Sequence, residues 1–358
     1  MTRLLCFSLV FSFFASASQA QFRKYSNEFL AIGVGARGLG LSGAQVASVN
    51  DVYGTYWNPA GLNDIESDFS AAFMHSEYFA GIAKYDYGAV ALPIGENKKL
   101  AFSLIRFGVD DIPNTLFLKE PDGSINYDNV TSFSAADYAF FTSFAGKLKK
   151  EGFQYGVSAK VVHRKVGDFA QSWGIGLDAG AQYKLNNWRF GAMLRDVTTT
   201  YNAWSFDFTA EEAAVLQSTG NLVPSSSTEL TAPKLLIGAA YNYDITKKIS
   251  LQPEIDFEVT TDGKRNVLIP AKPFSFDPKI GLEASYAKIV FLRAGLGNFQ
   301  KATSDIDDSN ITTMQPNIGV GLKIKSVSID YALTDLGNLS QSLYSHVFSV
   351  KLDINKKI

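Results

Sequence analysis

The chain has 358 residues, 46% hydrophobic, 13% aromatic and 19% charged, and its 33 lysines and arginines against 35 aspartates and glutamates leave a formal net charge of −2. With charge near zero and no basic patch interleaved with aromatics, nucleic acid has no electrostatic footprint to bind. Past the N-terminal segment no run approaches the roughly 18 apolar residues of a spanning helix, so a membrane protein of this composition must cross with strands.

At the N-terminus, Thr2 and Arg3 precede an apolar run from Leu4 to Phe14 and small residues ending Ser18-Gln19-Ala20. That order reads as a secretory signal peptide over 1–20, cut before Gln21. The only cysteine, Cys6, falls inside it, so no disulfide, thiolate metal site or catalytic thiol is expected in the mature chain. No lipobox surrounds Cys6, which argues against a lipoprotein.

Residues 29–62 do not alternate, are rich in glycine and small side chains, and are too apolar for a solvated periplasmic tail. They are expected to fold within a lumen: a hatch over 21–65 that buries Phe29, Leu30, Leu39, Leu41, Val46, Val49 and Leu62, with glycines permitting close backbone approach. Arg37 is the one charge between 29 and 49, and a buried charge must be paired. Asp51 is the nearest candidate in sequence; Asp178, Glu254, Asp256 and Glu258 are candidates from the wall, and a latch holding the plug is favoured over a ligand contact. Trp57, Asn58 and Pro59 either kink the plug or line a conduit, and Asn-Pro favours the turn. Gly33 to Gly38 satisfies the dinucleotide pattern GxGxxG, but no strand precedes it, no βαβ unit follows, and no acid stands about 20 positions on.

From Phe69 onward the chain is a series of segments of roughly ten residues in which apolar and polar or small side chains alternate, as a wall with lipid on one side requires. Strands are predicted at 69–76, 84–93, 99–108, 135–148, 152–165, 171–185, 187–197, 233–244, 248–259, 276–287, 288–296, 314–325, 326–334 and 344–354, about fourteen in all. Short turns alternate with the long stretches 109–134, 198–232, 260–275, 297–313 and 335–343, interrupted only by the short outer loop 166–170. Short turns face the periplasm in such barrels, which would put both termini there. The expected fold is therefore an antiparallel outer-membrane β-barrel over 66–358. Trp173, Ile175, Leu177, Ala179, Ala181, Tyr183 and Leu185 form one predicted lipid-facing row, and Tyr344, Phe348, Val350, Leu352 and Ile354 another. Gly174, Gly176, Asp178, Gly180 and Gln182, with Ser349, Lys351 and Asp353, are expected to look inward. Leu100 to Phe107 is apolar on both faces, and Pro253 implies a bulge within its strand.

His75, His163 and His346 lie in separate strands without metal-ligand spacing, and no Ser/His/Asp constellation is visible, so neither a cofactor nor an enzyme is expected. Asp305, Asp307, Asp308 and Asn310 resemble a calcium loop but lack the glycine and terminal glutamate of an EF-hand, so a solvated acidic loop is the reading.

The segments ARGLGLSGA and VNDVYGTYWNPAGL, then FMHSEYFAGIAKYDYGAVALPIG, Asp110-Asp111-Ile112, KEPDGS and the ending SIDYALTDLGNLSQSLYSHVFSVKLDI, resemble in that order FadL-like outer-membrane barrels. They are most similar to the PorV/PorQ family associated with type IX secretion. The resemblance implies a FadL-type barrel with its N-terminal segment inside, meeting secretion-machine subunits or secreted cargo proteins through its outer loops, with outer-membrane lipid around it. The apolar stretch with Trp204, Phe206 and Phe208, followed at helical spacing by Ala210 to Leu216, is the candidate partner-binding loop. The alternative is a FadL-like channel for small hydrophobic molecules, with Leu100, Phe102 and Leu104 lining its path.

Overall fold

The computed structural model describes residues 26–78, 81–120, 122–303, 310–336 and 344–355. The signal segment with its Gln21 boundary, Asp305, Asp307, Asp308 and the side chain of Asn310 lie outside them. The alternating segments form fourteen antiparallel strands: β1 Phe69–Tyr78, β2 Ala83–Pro93, β3 Lys98–Asn114, β4 Thr131–Lys147, β5 Phe153–Val166, β6 Ala170–Leu185, β7 Trp188–Arg195 resuming as Thr200–Phe206, and β8 Ser226–Thr231 resuming as Lys234–Tyr241 and Tyr243–Asp244. After these come β9 Ile249–Thr260, β10 Ser275–Tyr286, β11 Val290–Thr303, β12 Asn310–Ile324, β13 Val327–Thr334 and β14 Ser345–Ile354. Each pairs with its sequence neighbour, and β14 returns to β1, with Phe69 opposite Ile354 and Glu77 opposite His346. Closure removes the sheet edges and satisfies the backbone within lipid. The fold is a closed outer-membrane-type β-barrel.

Side-chain alternation sets the two faces as the pattern requires. Trp173, Ile175 and Leu177 point out, as do Phe348, Val350 and Leu352, whereas Asp178, Gln182 and Ser349 are buried inside. Charge on the outer row costs about 2–4 kcal/mol for Arg at mid-membrane. Leu177→Arg is therefore expected to impair assembly, while Gln315→Arg, on the lumen face beside Asp335, is tolerated; heat-modifiability of the folded barrel on gels measures both.

Three expectations change. Leu100, Phe102 and Leu104 face lipid, and the lumen face of β3 is Lys99, Ala101, Ser103 and Ile105. Both faces read as apolar because the inner one packs against the hatch. Pro253 makes no bulge: β9 pairs in register with β10 straight through it, and β8 is interrupted opposite, where Asn242 turns its N–H to the Asn187 carbonyl. The register shifts lie instead between Val109 and Ile112 and between Gly297 and Gln300. Lastly, stretch 198–232 is largely structured. β7 and β8 resume beyond a kink as a paired hairpin, Thr200–Phe206 with Ser226–Thr231, carrying helix α1 at Ala210–Ser218. Thr209 and Glu212 form a capping box at the start of that helix. In the kink, Asp196 (φ 56°) and Thr199 (φ 58°) take left-handed conformations and the Val197 N–H returns to the Leu177 carbonyl at 2.8 Å.

Candidate functional site

The lumen is filled by residues 26–65. Two short 3₁₀ turns, Glu28–Ala31 and Pro59–Asp64, and two single helical turns, Ala36–Gly40 and Gly54–Trp57, carry Phe29, Val34, Leu39, Tyr53, Tyr56, Trp57 and Leu62 into one buried cluster. The wall side of that cluster is Met74, Tyr85, Tyr87, Ile105, Phe141 and Val162, from β1 to β5. Segments this short have no stability of their own, so they are held by what they touch.

The opposite wall holds the hatch with charge. Asp256 accepts the N–H groups of Gln45 (2.8 Å) and Val46 (2.9 Å), and Glu254 those of Ala47 (2.8 Å) and Ser48 (3.2 Å). Lys351 reaches Asp51 at 3.3 Å, and Asp64 binds Lys184 and Arg189 where the hatch leaves the lumen. Arg37 is ion-paired, but among the described residues its salt-bridge partner is none of the five acids named from the sequence. Its Nε donates to Glu283 at 2.9 Å, and Glu283 also accepts from Arg293 (2.7 Å), which reaches Asp330 at 2.6 Å. Burial works against the Arg37 charge, and Glu283 beside it more than restores it, so the pKa is raised. Glu283 carried one usable signal, an acid on an inward position of an alternating strand.

Asn58 bonds in three directions. Its Nδ2 donates to the carbonyls of Val46 (2.9 Å) and Ala181 (3.1 Å), and its Oδ1 caps the Ala60 N–H at 3.1 Å. Trp57 Nε1 donates to the Val34 carbonyl at 2.8 Å. Pro59 lies against Gly156, where any side chain on the wall would strike its backbone. Trp57, Asn58 and Pro59 thus brace the plug, and Trp57 also faces the cavity above it.

That cavity, about 1290 Å³, is a vestibule at the long-loop end. Leu30, Ile32, Leu39, Tyr56 and Trp57 make its apolar floor; Lys160, Arg195, Lys234, Glu258 and Lys279 make its charged side. Lys160 is buried between Asp178 (2.9 Å) and Asp196 (2.6 Å), pinning the kink of β7. Arg195 lies 4.4 Å over the Tyr56 ring and donates to the Tyr56 carbonyl at 3.0 Å. The vestibule reaches Thr231, Thr260, Asn266 and Ser275. There the wall is incomplete: among the described residues no ladder joins Ser226–Thr231 to the chain beyond Thr260, since β9 pairs with β8 only up to Lys234 opposite Thr260. Ser26 and Asn27 bond the Thr231 hydroxyl at 2.8 and 2.9 Å on this side of the vestibule.

Of the loop candidates, Trp204 and Phe206 stand on the paired hairpin, Phe208 follows it, and Leu216 lies on α1. Trp204 donates to Glu229 at 2.9 Å, with the Arg164 guanidinium 5.1 Å over its ring. Its ring stacks toward Phe206 (6.3 Å), Phe206 toward Phe208 (6.4 Å) and Phe208 toward Phe169 (6.1 Å). All are half-buried, as is Leu216 on α1; the freely exposed apolar groups at this end include Ile125, Tyr127 and Leu222. The three histidines face outward, His75 on Asp86 (2.7 Å), His163 stacked on Trp173 (4.2 Å) and His346 on the Tyr331 hydroxyl (2.7 Å). Among the described residues, no group of three or more His, Cys, Asp or Glu side chains is placed to hold a metal ion.

No protein-family model matches the chain, and no curated protein matches it by sequence. Its fold is similar to solved structures. The monoaromatic hydrocarbon channel CymD is 13% identical with a TM-score of 0.56, over 91% of this chain and 98% of that one. The toluene transporter TbuX of Ralstonia pickettii is 13% identical at 0.54, over 90% and 99%. A FadL homologue of Pseudomonas aeruginosa is 13% identical at 0.50, over 90% and 98%. At these identities the likeness shows the fold, a closed β-barrel, here with residues 26–65 inside it.

Proposed function

We propose that the chain is a non-enzymatic, hatch-gated passage for small hydrophobic molecules in the outer membrane. The observation that carries this reading is the vestibule: an apolar floor made by the hatch itself, open at the mouth and beside an unpaired stretch of wall between β8 and β9. Its volume of about 1290 Å³ exceeds the roughly 300–1,000 Å³ of sites for drug-sized ligands. A single-ring hydrocarbon, the cargo named for CymD and TbuX, fits with room to turn. A molecule would settle on Leu30, Ile32 and Trp57 and pass inward when the hatch yields. Ile32→Asp tests this: Ile32 is half-buried and packs against the edge of the core cluster, so folding of the variant barrel is checked alongside by heat-modifiability on gels. An unpaired carboxylate against an apolar solute should lower toluene uptake by at least about tenfold. Uptake by cells carrying the variant equal to that of wild type would contradict the reading.

The resemblance of the quoted segments to the PorV/PorQ family supports a second reading, an accessory or cargo-binding component of a type IX-like secretion or surface attachment system. It predicts that deletion of 210–220, which spares β7, leaves the barrel folded and toluene uptake intact but abolishes recovery of secretion-machine subunits or cargo in pull-downs from outer membranes. Unchanged recovery would count against it.

A further inference from the structure

Exposed charge differs between the two ends of the barrel: at the long-loop end acids are interspersed with the exposed Lys84, Lys119, Lys165, Lys264, Lys272 and Lys301. Among the exposed charges at the long-loop end are Asp110, Asp111, Asp122, Asp128, Asp168 and Glu211. At the short-turn end lysines dominate: Lys149 and Lys150 between β4 and β5, Lys247 and Lys248 between β8 and β9, Lys288 between β10 and β11, and Lys325 between β12 and β13. All six are exposed, as are Lys98, Lys147 and Lys323 at the same end, against the exposed acids Glu66, Asp68, Glu96, Glu151 and Asp244.

Their depth follows from what precedes them. Tyr183, Trp188, Tyr243 and Tyr286 end the lipid-facing rows at this side, where aromatic rings settle at the boundary between hydrocarbon and head groups. The lysines stand in the turns just beyond, and the Lys150 ammonium is 5.7 Å from the centre of the Tyr183 ring. An ammonium on a flexible stem at that depth reaches the phosphate layer of the adjoining leaflet. The lysines are also spread over four separate turns from β4 to β13. A single docked protein meets one patch, whereas a shell of lipid meets the whole circumference.

We infer that the short-turn rim is a binding ring for the anionic phosphate head groups of the periplasm-facing leaflet, selecting phosphatidylglycerol over zwitterionic lipid. A lysine beside an anionic surface is worth about fivefold in occupancy, the equivalent of about 1 kcal/mol. Averaged over a shell that also contains sites without lysine, the full barrel in nanodiscs should hold spin-labelled phosphatidylglycerol about threefold over spin-labelled phosphatidylcholine. Changing the six lysines to glutamine should bring the ratio near one, while Lys119→Gln with Lys272→Gln at the other end leaves it unchanged. Should the six-fold variant not fold, raising salt on the wild type to about 0.5 M serves instead, and should lower the ratio by screening. A wild-type ratio near one, or a variant that keeps the full preference, overturns the inference. Tight binding of a soluble polyglutamate peptide without any lipid preference would likewise overturn it, and would assign the rim to an acidic protein.

Discussion

Glu283→Ala is expected to loosen the hatch while the barrel stays closed. Among the described residues Glu283 is the one carboxylate that accepts from both Arg37 and Arg293, and without it Arg293 keeps Asp330 while Arg37 keeps the Gln252 side-chain amide oxygen at 3.2 Å. A buried arginine left without its counter-ion costs about 3–5 kcal/mol. The loss should appear as fast hydrogen exchange in residues 36–57 with strand amides still protected, and as raised toluene flux. Removing Arg37 as well should be milder than Glu283→Ala alone, because no uncompensated charge then remains on the hatch. Hatch amides as protected in Glu283→Ala as in wild type would show that the apolar packing against β1–β5 holds the plug unaided.

Gly156→Val should displace the hatch by a different route. At Gly156 the wall meets the backbone of Pro59 and Ala60, and at Gly295 that of Leu41 and Ser42, so an added side chain collides with main chain that has no rotamer to relieve it. Overpacking of this kind costs about 1–3 kcal/mol or more. Gly88, on the lipid face of β2 with nothing within 4 Å of an added Cβ, is the control, and Gly88→Val should be silent. Limited proteolysis after Leu62 distinguishes them: rapid cleavage is expected in Gly156→Val only, and equal resistance of both variants would mean that the hatch is not seated on the glycines.

Much of this architecture was legible because a lipid-facing wall imposes a strict period of two. Trp173, Ile175 and Leu177 had to face one way and Asp178 and Gln182 the other, and any other phase would set charge in hydrocarbon. The hatch was legible from the opposite property, an apolar segment without alternation. What escaped was whatever depends on register between distant strands. Arg37 and Glu283 are 246 positions apart, and which inward acid faces the hatch is set by barrel stagger, which no local pattern records. Leu100, Phe102 and Leu104 misled because apolar side chains on both faces of β3 answer to two different solvents, lipid outside and the hatch inside. The hairpin beyond the β7 kink was hidden by Thr198-Thr199-Thr200, which breaks the alternation, so Trp204 and Phe206, which stand on its strand, read as loop residues. Gln182 shows the same limit: it faces the lumen as expected, yet it is bound to the carbonyls of Val46 and Val49 at 3.2 and 3.0 Å, so an inward position is no guarantee of tolerance.

If hydrophobic molecules pass only when the hatch moves, as proposed, fixing the hatch to the wall should stop them. Ser42 on the hatch and Asn317 on β12 both line the vestibule, with Oγ and Nδ2 2.8 Å apart. Cysteines are placed at both positions, in a chain whose one native cysteine, Cys6, lies in the predicted signal segment, and formation of the disulfide on oxidation is verified by thiol titration. Toluene flux into vesicles carrying the double variant should fall at least about tenfold on oxidation, the equivalent of about 1.4 kcal/mol, and recover fully on reduction. Equal flux in the oxidised and reduced states would contradict the account.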